Sequence, residues 1–196
     1  MGIRARRIEN EWRLLAGLAQ SNPLLIGDLR RNDGPARDEF PFRLRGSGAL
    51  SAVAGGPVIS RTHDVLIRFP RYFPAVPMEL ELTNPVFHPN VHPETGFVCL
   101  WNRYRPGDSV VEAVARLQRV IAWELYNLDA DQVMQPEAVR WLEAGHPGFD
   151  LPLPYTPVAA PESLAPLNVP RSRVGNRTRR RLEPLRAEMA ALREEL

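Results

Sequence analysis

The chain has 196 residues, 44% of them hydrophobic, and a small net charge of +2; that suits one domain with a sizeable core plus an appendage. No apolar run approaches the roughly 18 residues of a membrane span, and Arg4, Arg6 and Arg7 lead straight into a mixed helix, so a cytoplasmic protein without membrane contact is expected. One cysteine excludes an internal disulfide and a cysteine-rich zinc site, and all 25 basic residues are arginine.

In chain order, residues 3–20 read as a helix with Ile8, Trp12, Leu15 and Ala19 on one face, stopped by Asn22-Pro23. Residues 39–69 read as three antiparallel strands, about 39–45, 48–54 and 64–69, with Gly46-Ser47-Gly48 and Gly55-Gly56-Pro57 as the turns. A fourth strand, 78–83, puts Leu80 and Leu82 on one side and Glu79 and Glu81 on the other. The fold class is therefore α+β, a four-stranded antiparallel meander with one solvated face and helices over the other.

Ser109-Val110-Val111-Glu112 is a capping box, and Val110, Val114, Leu117, Ile121 and Leu125 continue it as a long apolar stripe. A shorter helix over 136–144 starts on Pro136 and ends at Gly145; Trp123 and Trp141 read as packing residues. The divisions expected are a folded domain over 1–146, a proline-rich extended linker or surface-hugging tail over 147–170, and a basic amphipathic helix over 171–196. Truncation after residue 150 is expected to leave the core folded. Six arginines between Arg171 and Arg181 precede Leu182, Leu185, Met189, Leu192 and Leu196 at heptad spacing, a seam for docking or self-association through 175–196. That cluster is short and lacks interleaved aromatics, so nucleic acid is the weaker partner. No glycine-rich phosphate loop appears, and His63, His88, His92 and His146 form no metal pattern, so neither a cofactor nor a metal is expected.

The most informative stretch is residues 69–101. Pro70, Pro74 and Pro77 hold backbone extended ahead of the fourth strand; His88-Pro89-Asn90 follows, and nine residues after Asn90 comes Cys99. A lone cysteine is commonly a buried structural residue. The whole string, however, resembles the core of the ubiquitin-conjugating enzymes, F-P-x-x-Y-P-x-x-P, a strand, H-P-N, then G-x-x-C-L. Here it reads Phe69-Pro70-Arg71-Tyr72-Phe73-Pro74-Ala75-Val76-Pro77, His88-Pro89-Asn90 and Gly96-Phe97-Val98-Cys99-Leu100. The resemblance covers about residues 3–145.

It implies that Cys99 accepts the C-terminal acyl group of a ubiquitin-like protein from an activating enzyme and hands it to an acceptor protein. Sulfur suits this relay because a thiolate is both a good nucleophile and a good leaving group. Arg103 and Arg105 lie within six residues of Cys99 and Glu94 within five, opposed charges that imply no preference for the thiolate. By the same resemblance Asn90 either donates to the tetrahedral oxyanion or fixes the loop carrying the thioester, and His88 and Pro89 are scaffold. Arg4, Arg6 and Arg7 would dock the activating enzyme. Two departures stand out. The loop from Val91 to Val98 is one residue longer than usual, which could bring His92 toward the thioester. Gln132 occupies the place of a customary aspartate, leaving Asp131, then Asp129, to orient the acceptor amine; a capping aspartate is the plainer reading of both. The tail and the absence of lysine point to a bacterial member, in a family branch tied to antiphage conjugation. A catalytically inactive variant, binding a ubiquitin-like protein or its activating enzyme, is the alternative, although such variants typically lack the cysteine.

Overall fold

The computed structural model describes residues 2–34, 37–53, 56–101, 103–129, 131–146 and 148–160. The described residues form α1 (Ile3–Ser21), β1 (Ile26–Gly27), β2 (Glu39–Val53), β3 (Gly56–Arg68), β4 (Glu79–Leu82), α2 (Val110–Ile121) and α3 (Pro136–Glu143). The antiparallel sheet runs in the order β1-β2-β3-β4. The arginine-rich segment and heptad helix expected over 171–196 lie outside the described residues.

Alternation along the strands sorts the two faces. Phe40, Phe42, Leu44, Val65, Ile67, Leu80 and Leu82 turn inward and join Ile8, Leu15 and Leu18 of α1 and Val110, Val114, Leu117 and Ile121 of α2 in one core. On the outer face Arg43 pairs with Asp64 at 2.7 Å, and Arg68 pairs with both Glu39 and Glu81. These partly exposed pairs contribute little stability, but they keep that face polar.

The strand count is four, yet the strands differ from the sequence expectation. Gly46-Ser47-Gly48 is not a turn: β2 runs through it, with Arg45 opposite Thr62 and Ala49 opposite Ser60. Three residues thus face one, a bulge that Gly46 permits at φ +73. The predicted strands 39–45 and 48–54 are therefore one, 64–69 is the second half of β3, and the two-residue β1 completes the sheet. Bulging frees backbone groups for other partners. Ser47 C=O meets His63 Nε2 at 2.8 Å, and Gly48 N–H donates to Pro154 C=O at 3.0 Å.

Helix α2 ends at Ile121, a turn earlier than the apolar stripe suggests. Trp123 then takes φ +62, sealed among His88, Phe87 and Trp141. On α1 the buried residues are Ile8, Glu11, Leu15 and Leu18, with Trp12 and Ala19 at the margin. The buried Glu11 carboxylate accepts from Arg7 Nε at 2.5 Å and from Val110 N–H at 2.7 Å. It therefore satisfies a free donor at the positive end of α2 and ties the two helices together.

Residues 148–160 lie along this domain. Leu153 is buried and donates its N–H to Ala122 C=O; Gln118 Nε2 bonds Thr156 C=O, and Asn22 exchanges two bonds with Ala159. The compact unit accordingly runs to Pro161, past the boundary at 146 expected from composition.

Candidate functional site

The site is built on a tight hairpin hung from the edge of β4. Val91 bridges Val98, and His92 N–H donates to Phe97 C=O at 2.8 Å. The second arm joins the sheet through Val98 N–H to Leu80 C=O and Leu82 N–H to Gly96 C=O, both at 2.9 Å. Gly96 is required there: it sits at φ +70, and a Cβ would lie 1.9 Å from Leu82 O. The hairpin tip is residues 93–96, closed by the His92 N–H to Phe97 C=O bond.

One rung further out, Asn90 and Cys99 face each other. Cys99 N–H donates to Asn90 C=O at 2.8 Å, and Asn90 Nδ2 donates to Cys99 C=O at 3.0 Å. Asn90 Oδ1 accepts from Asn127 N–H at 2.8 Å. Asn90, only 5% exposed, thus bonds one backbone group through each end of its side-chain amide and keeps a second Nδ2 N–H, while Cys99 itself is partly exposed.

Behind this pair the His88-Pro89-Asn90 turn is held on several sides. His88 Nδ1 accepts from Asn90 N–H at 3.1 Å, Met134 N–H donates to Pro89 C=O at 2.8 Å, and buried Gln135 donates to Val86 and Val91 carbonyls. Since Nδ1 accepts, the neutral His88 ring carries its proton on Nε2. That atom has no hydrogen-bond partner, and the ring meets the Trp123 indole edge-to-face at 4.6 Å. Burial pushes the His88 pKa down to about 3.

Comparison with protein-family models finds no match, and neither does comparison with curated protein sequences. Solved structures do match. A protein assigned as a ubiquitin-conjugating enzyme from Plasmodium yoelii aligns at TM-score 0.51 and 17% identity, over 74% of this chain and 87% of its own. Another so assigned, from Trypanosoma cruzi, aligns at TM-score 0.51 and 20% identity, over 70% of this chain and 88% of its own. The fold is the ubiquitin-conjugating fold.

Within that fold the remaining predicted residues take definite places. His92 Nδ1 accepts from the Glu94 and Thr95 amides at 3.3 and 3.2 Å, so its ring caps its own loop. Asp129 and Asp131 are exposed, on the segment that Asn127 joins to Asn90. Asp129 N–H donates to Asn127 Oδ1 at 2.9 Å, an Asx turn that fixes the start of this segment. Of the basic residues expected to dock a partner, Arg6 is exposed, but Arg4 and Arg7 are engaged internally. Arg4 pairs with Asp38 at 2.6 Å and donates to the Phe69 and Pro70 carbonyls. Arg7, besides Glu11, donates to the carbonyls of Pro106, Gly107 and Asp108. Among the described residues no cluster of three or more His, Cys, Asp or Glu is placed to hold a metal.

Two contributors escape sequence reasoning. Arg116 of α2 donates to Leu100 C=O, next to Cys99, and lies over the Trp101 ring at 5.8 Å. Asn127 supplies the amide that donates to Asn90 Oδ1. The Asn127-x-Asp129 spacing is a signal for the second; nothing in the sequence singles out the first.

Proposed function

We propose that the protein is a ubiquitin-conjugating-type acyl carrier. The Cys99 thiolate attacks the thioester carbonyl joining a ubiquitin-like protein to its activating enzyme, and the enzyme's own thiolate leaves. An acceptor amine then attacks the Cys99 thioester, a tetrahedral oxyanion forms and collapses, and Cys99 departs as thiolate while the amine loses its proton. ATP is consumed by the activating enzyme in forming the first thioester, not by this chain.

The observation that supports this reading best is the mutual clamp of Asn90 and Cys99. It fixes the backbone on both sides of a partly exposed cysteine in a ubiquitin-conjugating fold. Asn90 Nδ2 sits beside the reacting residue and can leave the Cys99 carbonyl for a developing oxyanion, where such donors are worth roughly two to three orders of magnitude in rate. Asp131 or Asp129, exposed on the neighbouring segment, receives the acceptor's proton or orients it. Arg6 and the exposed surface of α1 meet the activating enzyme. A lysine-free carrier also has no ε-amine of its own to acylate. The bacterial, antiphage setting belongs to the same proposal and rests on that composition; the neighbouring genes test it.

The experiment combines the protein with activating enzyme, ubiquitin-like protein and ATP, followed by a non-reducing gel. An adduct that reductant removes is expected, absent in Cys99→Ala and reductant-resistant in Cys99→Ser. No adduct from wild type with all components active would leave a binding module of this fold.

A further inference from the structure

A groove of about 410 Å³ opens between α2 and the loop that follows Cys99. Trp101 lines it, with Arg103 and Arg105 from the loop and Arg116 and Arg119 from α2. Two residues of chain span at most about 7 Å, so the groove's Trp101 wall begins within that distance of Cys99 along the chain.

Arginine outnumbers acid in its lining by four to two. Of the two carboxylates lining it, Asp108 accepts from Arg105 N–H at 2.8 Å and Glu112 accepts from Ser109 N–H at 2.6 Å, bonds to neutral amides that orient each carboxylate and leave it charged. Arg119 pairs with Glu124 at 2.8 Å. Arg116 uses Nε on a neutral carbonyl and so keeps its charge uncompensated. Arg103 and Arg105 are exposed and make no side-chain hydrogen bond or ion pair among the described residues. Trp101 Nε1, buried, likewise has no partner. Arg103, Arg105 and Arg116, with free guanidinium donors, thus give the wall an excess of donors and of positive charge over its two carboxylates.

We infer that this groove binds an acidic, extended peptide segment, and that it selects a ubiquitin-like protein carrying Asp or Glu close to the C-terminus that Cys99 takes up. The inference rests on the acyl-carrier reading for the identity of the occupant; the acidic preference rests on the groove alone. A carboxylate offers arginine two acceptors in one plane, whereas a basic segment would meet like charges at short range. Arg116 then acts twice, on Leu100 C=O behind the thioester and on the segment that leads to it.

The test uses the full chain and a fluorescein-labelled peptide of alternating Glu and Gly, followed by fluorescence anisotropy at about 0.15 M salt, where long-range attraction is largely screened. Matched peptides with Gln or Arg replacing Glu, and a single-stranded oligodeoxynucleotide of similar length, complete the set. The Glu peptide should bind at least about tenfold tighter than the Gln peptide, a ratio worth about 1.4 kcal/mol, and the Arg peptide weakest. Arg103→Glu/Arg105→Glu should abolish that preference, while Arg13→Glu on α1 should keep it. Equal affinity for the Glu and Gln peptides, or an unchanged preference in the double variant, would overturn the inference. So would an oligonucleotide that binds as tightly through the same two arginines, which makes the groove a phosphate site. None of these readouts involves acylation of Cys99, so loss of thioester formation and loss of peptide selectivity are told apart.

Discussion

Asn90 and Cys99 hold each other through both backbone and side chain, Cys99 N–H to Asn90 C=O at 2.8 Å and Asn90 Nδ2 to Cys99 C=O at 3.0 Å. The nitrogen that positions the cysteine is also the one that would serve an oxyanion, by its second N–H or by leaving the Cys99 carbonyl. Asn90→Ala removes both uses and also orphans Asn127 N–H. It is expected to accept the acyl group yet discharge it to amines roughly 100-fold more slowly. Asn90→Asp keeps the acceptor for Asn127 but sets a carboxylate oxygen against Cys99 C=O, so it too should discharge slowly. Single-turnover discharge to free lysine measures both. Rapid discharge by Asn90→Ala would remove Asn90 from the mechanism.

Gly96 links the hairpin to the sheet at a point with no room for a side chain. At φ +70, with Leu82 O 1.9 Å from a built Cβ, Gly96→Ala must push the hairpin off β4. A cost of about 2–3 kcal/mol is expected in urea denaturation. Because Cys99 lies on the same hairpin arm, its reaction with an aromatic disulfide should accelerate in this variant. Wild-type stability would show that the hairpin is not anchored at Gly96.

Much of this architecture was readable from residue order, and the failures have physical causes. The 69–101 string pointed to the fold because its prolines, Gly96 and Asn90 each meet a local backbone demand that few other residues satisfy. The capping box at Ser109-Glu112 is likewise local. Gly46 and Gly48 misled because glycine marks positive φ and close approach, which serve a bulge as well as a turn; only the register against β3 separates the two. Glu11 escaped because an acid on an apolar helix face looks like a pattern error until the N-terminus of α2, 99 residues away, is seen to need an acceptor. Arg116 and Gln135 act on carbonyls brought to them by the fold, and no spacing encodes that.

His88 gives the stability a pH dependence of known sign. Its pKa is pushed down to about 3 by burial, against about 6.5 for an unfolded histidine. Between those values the unfolded chain carries one more proton at this residue than the folded chain. Its contribution is whole above about pH 6.5 and declines by about 1.4 kcal/mol per pH unit as acid is added. Burial lowers the His63 pKa as well, which acts in the same direction. His88→Asn can still accept from Asn90 N–H without titrating. From pH 7 to 5, wild type should lose about 2 kcal/mol more than His88→Asn in urea denaturation, with the His63 share common to both. Equal losses would mean that His88 does not stay neutral in the fold.

The segment 148–160 makes a sharper claim than its composition allows. Its prolines suggest a spacer, but Leu153 is 2% exposed in the second apolar cluster with Leu50, Trp123 and Ala138. Its backbone also satisfies buried Gln118 and Asn22, through Thr156 C=O, Val158 N–H and Ala159. Removing it would leave Gln118 Oε1 and Asn22 Oδ1 without their acceptor bonds, with Nε2 of Gln118 still on Ser47 Oγ and Nδ2 of Asn22 still on Leu18 C=O. It would also uncover the apolar cluster beside the bulge of β2. Ending the chain after residue 150 should therefore destabilise the fold, contrary to the expectation from sequence, whereas a chain ending at 161 should melt close to full length. The single change Leu153→Ala isolates the packing share, expected at about 2–4 kcal/mol. Calorimetry on the three variants decides it: a chain ending at 150 that melts with the full-length protein would return this segment to the role of linker.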